Sequence, residues 1–460
     1  MSTREDGAPG HLIRSRDDLV TWIAKGEKPR NRWLIGTEHE KFVFHTDSLT
    51  PVPYEGERSI SALLKALISE FGWSPIMEGD NIIALKREDC ELCGNISLEP
   101  GGQFELSGGA VETLHETAAE THQHLREVLK VGEPLGIGFL GLGFSPKWTL
   151  AETPHMPKQR YNIMTRYMPT VGSRGLDMMY RTATIQVNLD FASEADMVKK
   201  LRVSLALQPI ATALFAASPF TDGRPNGFKS MRSEVWRDTD RRRTGMLPFA
   251  FEDGMGYERY VDYALQVPMY FVYRNGNYID ASGASFQDFL DGRLPQMPGQ
   301  RPTLDDWSDH LTTLFPEVRL KRFLEMRGAD SGPWQRICAL PAFWVGLLYD
   351  SEALDAAWDL VKDWTEEERE ALRNAVPKSA LATPFRSGTV QDIAKEVLRI
   401  ARRGLRARQR LNLASQDETL YLEPLEDVAN SGKTLSDHML DKFHGPWRGQ
   451  IDHVFGEYAF

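Results

Sequence analysis

Residues 182–190 alternate without a break, with Ala183, Ile185, Val187 and Leu189 on one side and Thr182, Thr184, Gln186, Asn188 and Asp190 on the other. A period of two sustained this long specifies a strand with one face in a core and the other polar. Two shorter runs repeat the pattern. Residues 97–99 and 103–107 place Leu98, Phe104 and Leu106 opposite Glu99, Gln103 and Glu105, and Pro100-Gly101-Gly102 supplies a turn between them. Residues 270–273 and 278–279 flank Asn275-Gly276, a pair suited to the positive φ values of a type I′ hairpin. Helical patterns fall at about 111–132, 194–217, 352–376 and 390–410. Antiparallel strands interleaved with helices, without strict βαβ alternation, predict an α+β fold. No repeat, low-complexity tract or long linker interrupts the chain. Its best boundary candidate, the loop 294–302, is short, so one large domain over 1–460 is expected, with 1–30 as an N-terminal extension.

Charge narrows the function classes. Fifty-four Lys and Arg against 65 Asp and Glu give −11, which argues against a general nucleic-acid binder. The first 30 residues mix charges of both signs and lack an apolar signal core. The most apolar stretch, 203–220, is broken by Ser204, Gln208, Pro209 and Thr212 and reads as a buried helix, not a membrane span. Three cysteines cannot make a disulfide framework, and a cytoplasmic setting is expected.

Familiar motifs explain little. Gly136-Ile-Gly138-Phe-Leu-Gly141 matches GxGxxG, but a helix pattern precedes it where a dinucleotide loop needs a strand, so a buried glycine-bearing strand is expected. There is no Walker A loop, GxSxG elbow or HExxH helix. Cys90 and Cys93 have zinc-knuckle spacing without a second pair, which favours an incidental or weakly redox-active turn, and Cys338 sits in an apolar run as a core thiol. His115, His122 and His124 with Glu112, Glu116 and Glu120 fan round a polar helix face. The basic run Arg399, Arg402, Arg403, Arg406, Arg408 and Arg410, with Gly404 inside it, reads as a solvated or packing face.

The informative pattern is carboxylates on strand faces. Glu38 and Glu40 are two apart and share a face, Glu99 and Glu105 occupy polar faces, Gln186 and Asn188 do the same, and Glu325 with Arg327 repeats the spacing. Two readings stay open: each carboxylate lies on a solvated outer face, or the set lines one concave sheet. Crowded carboxylates need cations, and hard oxygen donors without thiolates select Mg²⁺ or Mn²⁺. Magnesium in such a funnel commonly carries nucleotide phosphates. Arg160, Arg232 and Arg241 to Arg243 are loop-like placements whose guanidinium forks suit carboxylate and phosphate oxygens; the alternative for any one is a surface ion pair, which is the favoured reading for Arg241.

These segments resemble the plant-type glutamate–cysteine ligases of plants and many proteobacteria. The matching stretches are GTEHEKF (36–42), SLEPGGQFELSGG (97–109), PKQRYNIM (157–164), GLDMMYRTATIQVNLDF (175–191), ALQPIATALFAASPF (206–220), NGFKSMRSEVWRDTDRRRTGMLPF (226–249), HLTTLFPEVRLKRFLEMRGAD (310–330) and GPWQRICALPAFWVGLLYD (332–350). The resemblance implies a curved, largely antiparallel, carboxylate-lined sheet with helices packed around it, related to glutamine synthetase. It implies ATP-dependent joining of the glutamate γ-carboxylate to the amine of cysteine through a γ-glutamyl phosphate, the first step of glutathione synthesis. In that frame Glu38, Glu40, Glu99, Glu105 and Glu325 are metal-ligand candidates. Gln186, Asn188 and Arg243 stand beside the metal or nucleotide phosphates. Arg232 and Arg160 would hold a substrate carboxylate or the transferring phosphoryl, and Arg327 would contact phosphates. Tyr270 and Trp334 are candidates for the cysteine side of the pocket, with core aromatics as the equal alternative. Glutathione feedback and a monomer or homodimer are what the family suggests, with no nucleic-acid or membrane partner. A different amine acceptor, or a sensor that binds ATP and amino acids without turnover, are the competing functions. The plant members' redox-switch cysteines fall at positions that read Ala118, Ala281 and Gln296 here, leaving only Cys338, so that switch does not carry over.

Overall fold

The computed structural model describes residues 10–87 and 93–460, so Cys90 and the turn reading built on it lie outside the described residues. Among those residues the main sheet has nine strands. They are β1 (Ile35–His45), β2 (Ser74–Glu78), β3 (Asn81–Lys86), β4 (Asn95–Leu98), β5 (Phe104–Ser107), β6 (Ile137–Leu140), β7 (Thr184–Leu189), β8 (Val318–Leu320) and β9 (Leu324–Asp330). Their order is β8-β9-β7-β1-β5-β4-β3-β2, with β6 joining the second half of β1, and every pairing is antiparallel. The α+β expectation is met. Strand β1 is the keystone: its first half pairs β5 on one side and β7 on the other, which brings three separated polar faces into one row.

The alternation noted in the sequence sorts the two faces. Ile185, Val187 and Leu189 are fully buried with helices α3 (Glu194–Leu214), α5 (Trp334–Leu348) and α6 (Val390–Arg408), while α1 (Leu114–Gly132), α2 (Gln159–Tyr167) and α4 (Met231–Trp236) lie elsewhere in the chain. Burying each such aliphatic side chain contributes about 1.5–3 kcal/mol, which is what locks the register and fixes Gln186 on the opposite face. Leu98, Phe104 and Leu106 do the same for β4 and β5 in a second core with Val128 and Val131 of α1.

Local signals mostly hold. Asn275 (φ 50°) and Gly276 (φ 76°) make the hairpin turn between antiparallel Phe271–Arg274 and Asn277–Asp280. The GxGxxG stretch is the buried strand β6, following a helix. The helix expected over 352–376 is two, Ser351–Val361 and Glu366–Ser379, because Thr365 caps the second with Glu368. Of the histidines placed on a polar helix face, His124 is instead buried, its ring stacked near Phe104 and edge-on to His39. In the loop 294–302, Leu294, Met297 and Pro302 are buried and the other six residues are exposed.

The basic run on α6 is a packing face with paired rims: Arg399 bonds Glu396, Arg402 bonds Glu426 and Arg408 bonds Glu418. Gly404 within it lets α6 touch α5, for a Cβ there would stand 1.9 Å from the Gly346 carbonyl oxygen. Gly404→Ala is therefore expected to destabilise the fold by about 1–3 kcal/mol through overpacking, read as a lowered melting temperature; an unchanged melt would mean the helices separate without cost.

Candidate active site

Register builds the site. Glu38 of β1 lies opposite Gln186 of β7, Glu40 lies opposite Glu105 of β5, and Asn188 of β7 lies opposite Glu325 of β9. The loop between β4 and β5 returns Glu99 to the same face. There Gly102 adopts φ 82°, and a Cβ on Gly101 would sit 2.3 Å from the Tyr180 carbonyl. The Gln103 side chain ties that turn down, accepting from the Gly101 N–H at 2.9 Å and donating to the Thr182 carbonyl at 2.7 Å. A bulge in β9 between Met326 and Ala329 then turns Arg327 toward the same space.

The result is a narrow cavity lined by Glu38, Glu40, Glu99, Glu105, Gln186, Arg232 and Arg327. Seven of the residues singled out in the sequence therefore converge, and the solvated-face reading is excluded for them. Met164, Met178, Met179, Trp236 and Phe315 form the apolar wall. Glu40 accepts from the Thr184 N–H at 3.0 Å, and its pKa is pushed well above the ordinary value by burial and then by Glu99 and Glu105, which Arg232 only partly offsets. Glu99 is pushed up to about 7 by burial and by Glu105, and its Oε1 is buried without a hydrogen-bond partner. Ser107 Oγ donates to Glu105. On the cationic side, Arg232 Nη2 donates to the Arg327 carbonyl at 2.7 Å while its Nε has no partner, and Arg327 donates to Gln186 Oε1 at 2.6 Å.

Six sequence-derived candidates lie outside the cavity lining. Glu325 is fully buried outside the cavity lining, gripped by Arg319 at 2.7 and 2.8 Å and by Arg327 at 2.5 Å, with Lys321 at 3.5 Å. Burial opposes its charge, but those cations outweigh it and hold its carboxyl well below the usual range. Arg243 is corrected from nucleotide contact to a buried clip: it bonds Asp240 at 2.8 Å, the carbonyls of Thr313 and Pro268 at 2.9 and 2.8 Å, and covers the Tyr270 ring at 3.9 Å. Tyr270 is likewise a core aromatic whose hydroxyl donates to Met168 Sδ at 3.1 Å. Trp334 packs 5.6 Å from His122 at the start of α5, away from the cavity. Asn188 stands behind Glu38, donating to its Oε1 at 2.9 Å. Arg160 lies close by without lining the cavity, over the Phe271 ring at 5.0 Å, its Nε buried and unpartnered.

Three cations escaped sequence reasoning. Arg319 lines the cavity while pairing with Glu325, and the alternation of Val318-Arg319-Leu320 was the signal that could have found it. Lys158 is buried, its pKa lowered to about 8 by burial that Glu99 partly counters. Lys41 is fully buried on the reverse face of β1, 3.0 Å from His39 Nδ1, its pKa lowered to about 7 by burial. The acidic cavity also continues outward. Arg232 and Arg327 are shared with a neighbouring recess that reaches Arg373, and Arg373 in turn lines a surface mouth with Arg237, Arg241 and Arg242.

The residues suit divalent ions, on their own chemistry. Four carboxylates face one space, two of them held above their ordinary pKa by burial and then by mutual repulsion, and one offers an orphaned oxygen. Among the described residues no three acidic or imidazole groups already stand at ligand distance from one point, so binding would draw the carboxylates together.

Comparison with known proteins gives the family and the fold. The model of glutamate-cysteine ligase family 2 matches residues 34–457. The chloroplastic glutamate–cysteine ligase of Medicago truncatula is 57% identical over 456 residues, covering 99% of this chain and 87% of the relative. That of Nicotiana tabacum is 56% identical over 456 residues, covering 99% and 85%. A crystal structure of glutamate–cysteine ligase from Francisella tularensis in complex with AMP shares the fold, with a TM-score of 0.53 at 12% identity, over 93% of this chain and 89% of that one. The chloroplastic designation of the relatives overturns the cytoplasmic setting expected from the sequence. Among the described residues no single helix is long and apolar enough to cross a membrane.

Proposed function

The chain belongs to glutamate–cysteine ligase family 2, and from that membership we propose that it joins the γ-carboxylate of L-glutamate to the amine of L-cysteine at the expense of ATP, making γ-glutamylcysteine for glutathione synthesis. The whole chain, 1–460, acts as one catalytic domain. The observation that carries the reading is the meeting of Glu38, Glu40, Glu99 and Glu105 with Arg232 and Arg327 around one cavity.

A γ-carboxylate oxygen of glutamate attacks the terminal phosphorus of ATP, ADP departs, and an acyl phosphate results. The cysteine nitrogen then attacks the acyl carbon, phosphate leaves, and the amine gives up a proton. Both steps build negative charge on oxygen, so fixed cations contribute more than proton transfer. Glu38, Glu40, Glu99 and Glu105 would hold Mg²⁺, which supplies charge neutralisation to the phosphoryl oxygens. Arg232 holds the glutamate carboxylate, and its bare Nε and water-poor surroundings make that contact strong. Arg327, steadied by Gln186 and Glu325, faces the transferring phosphoryl. Glu325 serves as the anchor of Arg319 and Arg327.

The test is ADP release with Mg·ATP and glutamate, with and without cysteine, checked by mass spectrometry for γ-glutamylcysteine. Cysteine-dependent release with dipeptide formed is expected. Release that ignores cysteine but responds to another amine would replace the acceptor, and ATP binding without turnover on any amine would make the protein a sensor.

A further inference from the structure

Asp330, the last residue of β9, is fully buried outside the cavity. Its Oδ2 accepts from Ser218 Oγ at 2.6 Å and from the Ala217 N–H at 2.9 Å, and its Oδ1 accepts from Ser230 Oγ at 2.7 Å. Each serine passes the contact on. Ser218 Oγ accepts from the Arg232 N–H at 3.3 Å, and Ser230 Oγ, capping α4, accepts from the Ser233 N–H at 3.2 Å. A hydroxyl has one proton, so donating it to Asp330 turns the oxygen's lone pairs toward α4. The chain is fitted to this carboxylate: a Cβ on Gly143 would stand 2.3 Å from Asp330 Cγ. At its other end Arg232 is held by the Arg327 carbonyl of the same strand, 2.7 Å away. Backbone and guanidinium of Arg232 are thus both referred to β9.

We propose that Asp330 is a positioning residue: through Ser218 and Ser230 it sets where the Arg232 guanidinium stands, and so how the site receives the glutamate carboxylate. The proposal rests on the reading above, in which Arg232 holds that carboxylate. Asparagine has the volume of aspartate but one acceptor oxygen, and its NH₂ would meet a hydroxyl that must then turn its proton toward α4. The helix start shifts, and a displacement of ångström scale at a binding group is enough to cost affinity heavily.

The experiment is a double-mutant cycle read as the calorimetric Kd of L-glutamate, with Mg²⁺ and the β,γ-imido analogue of ATP present. Asp330→Asn is expected to weaken glutamate about tenfold while the nucleotide analogue's own Kd changes less than about twofold. In an Arg232→Lys background, adding Asp330→Asn should change the glutamate Kd by less than about twofold, since groups acting through one contact do not add. The same tenfold loss in both backgrounds, or no loss in Asp330→Asn alone, overturns the proposal. Should Asp330→Asn fail to fold, Ser230→Ala and Ser218→Ala take its place in the cycle, with a loss of about threefold expected from each. A glutamate Kd unchanged by Arg232→Lys would instead remove Arg232 from the site, which is a failure of the reading and not of the relay.

Discussion

Glu99→Gln is expected to reduce turnover by about a thousandfold and at the same time to stabilise the metal-free protein. The two effects have one cause. Glu99 is buried beside Glu105 with an oxygen that has no partner, and its pKa is raised from 4.5 to about 7. A carboxylate raised in this way keeps its proton in the folded state where the unfolded chain has released it. Between about pH 4.5 and pH 7 the folded form therefore binds more protons, and stability falls as pH rises through that window, levelling off above it. The full shift corresponds to about 3 kcal/mol, an upper bound because the neighbouring carboxylates titrate together. Glutamine carries no charge to desolvate, so the variant should melt higher than the native protein at pH 8 without divalent ions, lose much of the pH slope, and gain less from added Mg²⁺. Thermal melts at pH 5 and 8, with EDTA and with Mg²⁺, read all of this. A variant with native turnover, or one that melts lower in EDTA, would show that Glu99 is not a ligand held against repulsion.

What was legible in the sequence is what local pattern encodes. The period-two alternation at 182–190 set which side of β7 faces the helices, and the spacing of Glu38 and Glu40 put both on one face of β1. Those facts survive because burial of Ile185, Val187 and Leu189 leaves no other register. The errors arose where tertiary neighbours decide. Arg243 and Arg242 are adjacent in sequence, yet one is a buried clip and the other is exposed, a difference made by Thr313 and Pro268 from distant segments. Tyr270 and Trp334 are aromatic, but only the packing of Met168 against the first and His122 against the second shows that neither reaches the cavity. Lys41 was invisible for the opposite reason: a lysine inside a strand pattern is normally a solvent-facing residue, and its burial follows from α1 closing over that face of β1. Alternation gives the face but not the destination of each side chain, so a carboxylate that faces the cavity and one that faces an arginine look alike.

Glu325→Gln is expected to behave unlike Glu99→Gln, and the contrast separates a ligand from an anchor. The Glu325 carboxylate is the shared counter-ion of Arg319, Arg327 and Lys321, with Arg319 bound through both oxygens. Glutamine retains one acceptor and brings an NH₂ against guanidinium donors, which leaves buried positive charge uncompensated. Breaking a buried pair by removing one partner costs about 3–5 kcal/mol, so the variant should melt well below the native protein whether or not Mg²⁺ is present. Activity should fall as well, since Arg327 loses one of the groups that steady it and Arg319 borders the same cavity. The sign of the stability change decides the role: repulsion relieved at Glu99 raises the melt, whereas attraction lost at Glu325 lowers it. A Glu325→Gln protein that melts like the native one in EDTA yet no longer gains stability from Mg²⁺ would return Glu325 to the ligand set, with its arginine contacts serving only the metal-free state.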